Sequence, residues 1–264
     1  MKQKKQYKIL LTVLIPFAVI LIFVASISAF KQREKTNSDI KSAPYKYETH
    51  LHTKEGSLCA VSTAEEMVDK YKELGYTGVI VTDHFFNGNS AVNQTQSWEK
   101  MIDDFCIGYE NAKKRGEEVG IDVFFGWEYS YSGTDFLTYG LDKEWLKNHP
   151  ETMTLDVIDY LKLVRDEGAM VIEAHPYRSV YNQVRLYPKY IDGLEVRNMQ
   201  PAYYNEEENA AAKYMAEMYG LLQTSGSDAH DVTKIGMGGM AFDHKLESID
   251  DYINLVKSRN GVLL

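Results

Sequence analysis

The chain has 264 residues, enough for one large domain or two small ones, and its 44% hydrophobic and 25% charged residues give a globular composition. Residues 1–41 carry eight Lys/Arg against two Asp/Glu, so the remainder carries 21 against 36, a net charge of −15. A body this acidic is repelled by a nucleic-acid backbone, which argues against duplex binding but leaves room for a small phosphorylated ligand, because bound cations reverse the local field.

In chain order, residues 1–8 are a basic N-terminus, and Ile9 to Phe30 is a 22-residue run whose only hydroxyl residues are Thr12, Ser26 and Ser28. As a helix it is about 33 Å long, enough to cross a bilayer core. Lys2, Lys4, Lys5 and Lys8 before it favour a cytoplasmic N-terminus and an external body, while Lys31, Arg33 and Lys35 after it weaken that orientation. The expectation is an uncleaved membrane anchor. The alternative is a cleaved signal at the small residues Ala25 to Ala29. Residues 31–45 are polar, contain Pro44, and read as a tether to one domain over 46–264.

Within that domain, strand-like and helix-like segments alternate. Strands are expected at 46–51, 78–82, 121–125, 136–139, 169–174, 193–196 and 221–224. Helices are expected from Thr63 to Leu74 with a Thr63/Glu66 capping box, then at 97–118, 154–166, 205–219 and 248–258. Gly75, Gly120, Gly168 and Gly220 punctuate the first four of these helices. Continuous apolar strands alternating with helices argue for a parallel sheet covered by helices, and about seven strands suggest a closed or nearly closed α/β barrel. An open doubly wound sheet is the other arrangement, but no Gly-x-Gly-x-x-Gly turn or Walker loop follows any strand. Cys59 and Cys106 are too few for a disulfide framework and are expected to be free thiols.

The chemistry gathers at the strand ends. His50 and His52 are two apart, so one strand face presents both imidazoles. Later ends carry Asp83-His84, Glu128, Glu173-Ala174-His175-Pro176, and Asp228-Ala229-His230. In a parallel barrel all such ends lie on one face, so His50, His52, His84, Glu128, His175, Asp228 and His230 converge. Five of the seven histidines fall there, and His149 and His244 sit in loop-like contexts. Imidazole with carboxylate suits Zn, Mn or Fe, with room for two or three divalent ions.

The segments His50-Leu51-His52-Thr53, Thr82-Asp83-His84, Gly126-Trp127-Glu128, Glu173-Ala174-His175-Pro176, Gly193 to Asn198 and Ser227-Asp228-Ala229-His230 resemble, in order, those of the PHP (polymerase and histidinol phosphatase) family. The resemblance covers about residues 46–245. It implies a distorted (βα)7 barrel, a metal centre of two or three ions, and phosphoesterase activity on a phosphorylated small molecule or nucleotide. It places metal ligands at His50, His52, His84, Glu128, His175, Asp228 and His230, with Asp228 and His230 also at the reacting centre.

Two departures stand out. Where the family often has an Asp after the His-x-His, only Glu55 could substitute. Where it often has a His after the strand-three Glu, this chain offers Asp135, expected to be a ligand. Arg178 and Arg197 are candidates to fork onto a substrate phosphate, Asp83 to orient a neighbouring ligand, and Glu195 to be structural. Two rival readings are a metal-dependent amidohydrolase, disfavoured by the absence of a mid-chain strand-end lysine, and a non-catalytic metal-binding domain.

Overall fold

The structure, a computed structural model, describes residues 43–178 and 184–264. The expected anchor at 9–30 and most of the tether lie outside the described residues. Among those described, no helix is long and apolar enough to cross a membrane.

Among the described residues there are nine strands: β1 (Tyr45–Leu51), β2 (Gly78–Val81), β3 (Asp122–Tyr131), β4 (Thr134–Tyr139), β5 (Met170–Ala174), β6 (Gly193–Asn198), β7 (Leu222–Gly226), β8 (Met240–Phe242) and β9 (Val262–Leu263). The α-helices of the same residues are α1 (Ala64–Glu73), α2 (Trp98–Phe105), α3 (Ile107–Val119), α4 (Lys143–Asn148), α5 (Val157–Asp166), α6 (Glu206–Tyr219) and α7 (Ile249–Lys257). The strands make one sheet in the order β7-β6-β5-β4-β3-β2-β1-β8-β9. Strands β1 to β3 are mutually parallel, as are β5 to β7. The sheet closes beyond β7, where Leu51 pairs in parallel with Ala229, and His52 N–H donates to the Ala229 carbonyl at 2.9 Å.

Three expectations change. The segment near 136–139 is not a parallel strand: β4 pairs antiparallel with both β3 and β5. The reason is a two-residue hairpin at Ser132 and Gly133, both with positive φ (50° and 82°), which turns the chain straight back from β3 into β4. The single helix over 97–118 is two, α2 and α3, meeting at Cys106. At that junction the Gly108 backbone packs so closely on Thr53 and Asp83 that a Cβ would lie 2.2 Å from the Thr53 hydroxyl oxygen. Finally β8 and β9, short and far downstream, extend the sheet antiparallel beyond β1.

Helix ends follow the sequence signals. Thr63 and Glu66 form the reciprocal capping box of α1, Asp156 caps α5, Asn205 caps α6, and Gly120 and Gly220 end α3 and α6 in left-handed conformation. One face of the strands packs Tyr47, Ile80, Leu137, Tyr139, Ile172 and Phe242 into a core that Tyr252, Ile253 and Val256 of α7 join. On the other face, α1 and α3 cover Leu51, Val79 and Val81, and α2, α5 and α6 cover Trp127, Tyr129, Val171 and Leu194. The fully buried Trp127 donates to the Tyr160 hydroxyl at 2.7 Å, and Tyr129 stacks on the same Tyr160 ring with centroids 3.6 Å apart. Because strand side chains alternate, anchoring both neighbours under α5 turns Glu128 to the opposite side.

Candidate metal centre

Eight side chains meet at the C-terminal ends of the parallel strands: His50, His52, His84, Glu128, Asp135, His175, Asp228 and His230. Their ligand atoms form four overlapping groups, each within 4.8 Å: His52/His84/His230, His50/His52/Glu128, His50/His175/Asp228 and Glu128/Asp135/His175. Glu128 holds the centre. Its Oε1 lies 3.3 Å from both His50 Nε2 and His175 Nε2, and its Oε2 lies 2.7 Å from His84 Nδ1 and 3.4 Å from His52 Nε2. Asp228 Oδ1 approaches His52 Nε2 at 3.2 Å and His50 Nε2 at 3.5 Å. Asp135 reaches the cluster through the hairpin, its Oδ2 3.9 Å from His175 Nε2.

Among the described residues, both Glu128 oxygens and His84 Nδ1 are buried without a hydrogen-bond partner, and the two facing Nε2 atoms of His50 and His52 stand 3.1 Å apart. Buried polar atoms are nearly always satisfied. Here their lone pairs converge on shared points, as metal coordination requires, and imidazole with carboxylate is a donor set for divalent transition ions. His175 and Asp228 both adopt positive φ (29° and 49°), a strain that persists where the surrounding structure dictates a side chain's aim.

Burial opposes the charge on each of these groups, and neighbours decide the outcome. Asp228, Glu195 and Glu128 hold the His50 pKa well above the imidazole range, whereas His230 and His84 reinforce burial in keeping His52 well below it. Glu128 stays well below the carboxylate range beside His84 and His50, and Asp228 does so beside His50 and Arg178. Burial and the nearby Glu128 push Asp135 up.

A second layer aims the ligands. Glu195 Oε1 lies 3.1 Å from His50 Nδ1, and its Oε2 accepts from the His175 amide and the Asn198 side chain, at 3.0 and 2.9 Å. Asp83 accepts from Thr53 and from the Ser57 hydroxyl, and Ser57 in turn contacts His52 Nδ1 at 3.2 Å and receives the His84 amide at 3.0 Å. Burial outweighs those hydrogen bonds in pushing Asp83 up to about 6. Glu48 is fully buried beneath the pair: its Oε1 accepts from the amides of Thr49, His50 and Ser227 at 2.8–2.9 Å.

Arg178 joins the site at the mouth, donating to Asp228 Oδ2 at 2.6 Å and Asn198 Oδ1 at 2.7 Å. Arg197 does not. A register shift between Glu195 and Arg197 breaks the alternation of β6, so Glu195 and Asn198 face inward and Arg197 is exposed beside the Met199 sulfur. Glu55 is also elsewhere, with its carboxylate accepting from the Ala64 amide at the start of α1. Three contributors escape sequence reasoning: Glu48, Ser57 and Cys59. The Cys59 thiol interacts with both His230 and His84, and against the effect of its own burial these bring it to about 6. Above the cluster opens a cleft of about 1200 Å³ whose walls include Arg178, Arg185, Tyr203 and Lys234.

The PHP domain pattern matches residues 48–263, most of the chain and all of this cluster. The chain belongs to the PHP domain family. An uncharacterized protein of Methanocaldococcus jannaschii is 31% identical over 125 residues, 42% of this chain and 52% of that protein, so the match spans about half of the relative's length. Solved structures that share this fold at low identity include the following. A two-domain protein of Bacteroides vulgatus, described as containing a predicted PHP-like metal-dependent phosphoesterase, has TM-score 0.64 and 16% identity over 83% of this chain and 64% of its own. A candidate metal-dependent phosphoesterase of Bifidobacterium adolescentis has TM-score 0.52 and 16% identity, covering 82% and 96%. PsfC of Pseudomonas syringae has TM-score 0.53 and 19% identity, covering 83% and 91%.

Proposed function

We propose that this PHP domain is a metal-dependent phosphoesterase acting on a phosphorylated small molecule or nucleotide. The observation that carries the reading is the buried Glu128 carboxylate, with no hydrogen bond among the described residues but four imidazoles at 2.7–3.4 Å, in a set of four overlapping ligand groups that line an open cleft. Two or three divalent ions (Mn, Zn or Fe) held by His50, His52, His84, Glu128, Asp135, His175, Asp228 and His230 would supply an activated water and a clamp on phosphoryl oxygens.

The chain's own residues do the rest. Arg178 lines the cleft and is held by Asp228 and Asn198 through one N–H on each terminal nitrogen, which leaves it further N–H donors for a phosphate oxygen. Arg185 and Lys234 also line the cleft, Lys234 in an ion pair with Asp231 at 3.3 Å. Asp228, kept ionised beside His50 and Arg178, is the carboxylate placed to receive a proton from the attacking water. His230 stands beside it, oriented by the Asp228 carbonyl 2.8 Å from its Nδ1.

Replacing His52 or Asp228 by Ala should lower turnover of p-nitrophenyl phosphate by the metal-loaded chain by about 10³-fold or more. Unchanged turnover in both variants would sink the phosphoesterase reading, and no turnover in the unaltered chain across a panel of phosphorylated metabolites would favour the non-catalytic one.

The apolar run at 9–30 supports a further part of the proposal, that the domain is tethered to a membrane with its body on the outer side. Deleting residues 1–42 should move the protein from the membrane fraction to the soluble one. A full-length chain already soluble without detergent would count against the anchor.

A further inference from the structure

The cluster has an unequal ligand supply. His52 lies in one group with His84 and His230, but its Nε2 is turned to Asp228 and Glu128 and its Nδ1 to Ser57. Glu128 Oε2, 2.7 Å from His84 Nδ1, is shared with His52, so His84 and His230 have room for a further donor. His230 is prepared for the role: its Nδ1 donates to the Asp228 carbonyl at 2.8 Å, which fixes the tautomer and leaves Nε2 with a lone pair. The carboxylates nearby are committed. Asp83 is taken up by Thr53 and Ser57, and Glu55 by the start of α1. Between Thr53 and Thr63 the only other side chain of metal-ligating type is Cys59.

The fold holds that cysteine between the two histidines from both sides. The Leu58 amide donates to the Asn89 carbonyl at 2.9 Å, tying the loop to the segment that follows His84. The Val61 amide donates to the carbonyl of His230 itself, also at 2.9 Å, and Ser57 bridges to Ser90. Cys59 therefore sits in a short span stapled at one end to the His84 segment and at the other to His230. It is exposed and lines the same cleft as His84 and His230.

We propose that Cys59 is a metal ligand, completing with His84 and His230 a sulfur-and-imidazole position that takes a thiophilic divalent ion such as Zn²⁺, Co²⁺ or Cd²⁺ in preference to Mn²⁺ or Mg²⁺. Binding is an exchange without redox change: the thiol proton is released to solvent and the sulfur lone pair forms the bond to the ion. Three protein donors leave one position of a tetrahedral ion open to the cleft, the arrangement of catalytic rather than structural zinc. The proposal rests on reading the cluster as a metal centre, but its test does not depend on turnover.

The reduced, metal-stripped full chain would be titrated with Co²⁺. A near-ultraviolet sulfur-to-cobalt charge-transfer band should appear, and it should be absent in Cys59→Ser and in Cys59→Asp. Cys59→Ser should bind one ion fewer per chain, while Cys59→Asp, which restores an anionic donor, should recover that ion without the band. On the unaltered chain, saturating Zn²⁺ should slow iodoacetamide labelling of Cys59 by roughly tenfold or more. The buried Cys106 is far less accessible and separates from Cys59 by peptide mapping. No band, together with equal labelling rates with and without Zn²⁺, would overturn the proposal even if the enzyme hydrolyses phosphoesters. A band with no hydrolysis would leave it standing and count against the proposed activity.

Discussion

A bulge is what aims His50, and Glu48 is what holds the bulge. The register of β1 against β2 shifts between Glu48 and Leu51, so successive amides are left without ladder partners. The Glu48 carboxylate curls back to accept from the Thr49 and His50 amides, and it reaches across the barrel seam to the Ser227 amide next to Asp228. Its second oxygen accepts from the Tyr71 and Ser227 hydroxyls. Burial raises its pKa, so what the site needs from Glu48 is acceptors more than charge. Glu48→Gln keeps a carbonyl for the three amides, and both hydroxyls can turn to accept from its NH₂, so a cost of about 1 kcal/mol or less is expected. Glu48→Ala orphans three buried amides and should cost roughly 3 kcal/mol or more, with weaker ion binding. Urea denaturation and metal titration of the two variants check this, and an Ala variant as stable as the parent would refute it.

At the scale of elements, what could be read from the sequence follows periodicity, and what could not follows its interruption. The strand ends bearing His84, Glu128, His175 and Asp228 were legible because β-branched apolar runs stop there, and a parallel barrel collects its strand ends on one face. The capping box at Thr63 and the glycine stops of α3 and α6 were legible for a similar reason, since each is set by a few adjacent residues. Arg197 was a candidate because it follows a strand expected to end at 196, but β6 runs on to Asn198, and its shifted pairing with β7 leaves Arg197 exposed and Asn198 inward. The antiparallel β4 was hidden in the two-residue turn at Ser132 and Gly133, where only the second residue advertises positive φ. Cys59 and Ser57 belong to a loop whose course is set by hydrogen bonds to residues about 30 and 170 positions away. No local pattern encodes such contacts. Glu128 lies between both regimes, since its strand was expected but the continuation of β3 beyond it, which anchors Trp127 and Tyr129, was not.

For the whole molecule, the concentration of titratable groups at one end of the barrel makes stability depend on pH and ions together. Without metal, His50, His84 and His230 carry raised pKa values and act as the counter-charges of Glu128 and Asp228. A histidine raised in the folded state contributes stability that is full below its unfolded pKa of about 6.5 and is lost as pH rises through the folded value. The two depressed carboxylates contribute stability present above about 4 and lost as pH falls through their low folded values. Asp83, raised to about 6, adds a loss of its own between about pH 4 and 6, because it must ionise while buried, and so moves the maximum toward the acid end. His52 gains stability only up to about pH 6.5, and Cys59, lowered to about 6, gains stability from about pH 6 to 9 and so offsets part of the loss from the three histidines. The chelated protein should therefore be most stable between about pH 4.5 and 6.5, and its Tm should decline by several degrees toward pH 9. Divalent ions replace the histidine protons and must displace them, so their stabilisation should be small at pH 5.5 and grow with pH. At an ion concentration of about 100 times Kd it should reach roughly 2.7 kcal/mol per site. Thermal unfolding from pH 5 to 9 with EDTA and with Zn²⁺ or Mn²⁺ measures both curves. A chelated chain whose Tm climbs steadily from pH 6 to 9 would show that the cluster is not held together by protonated histidines.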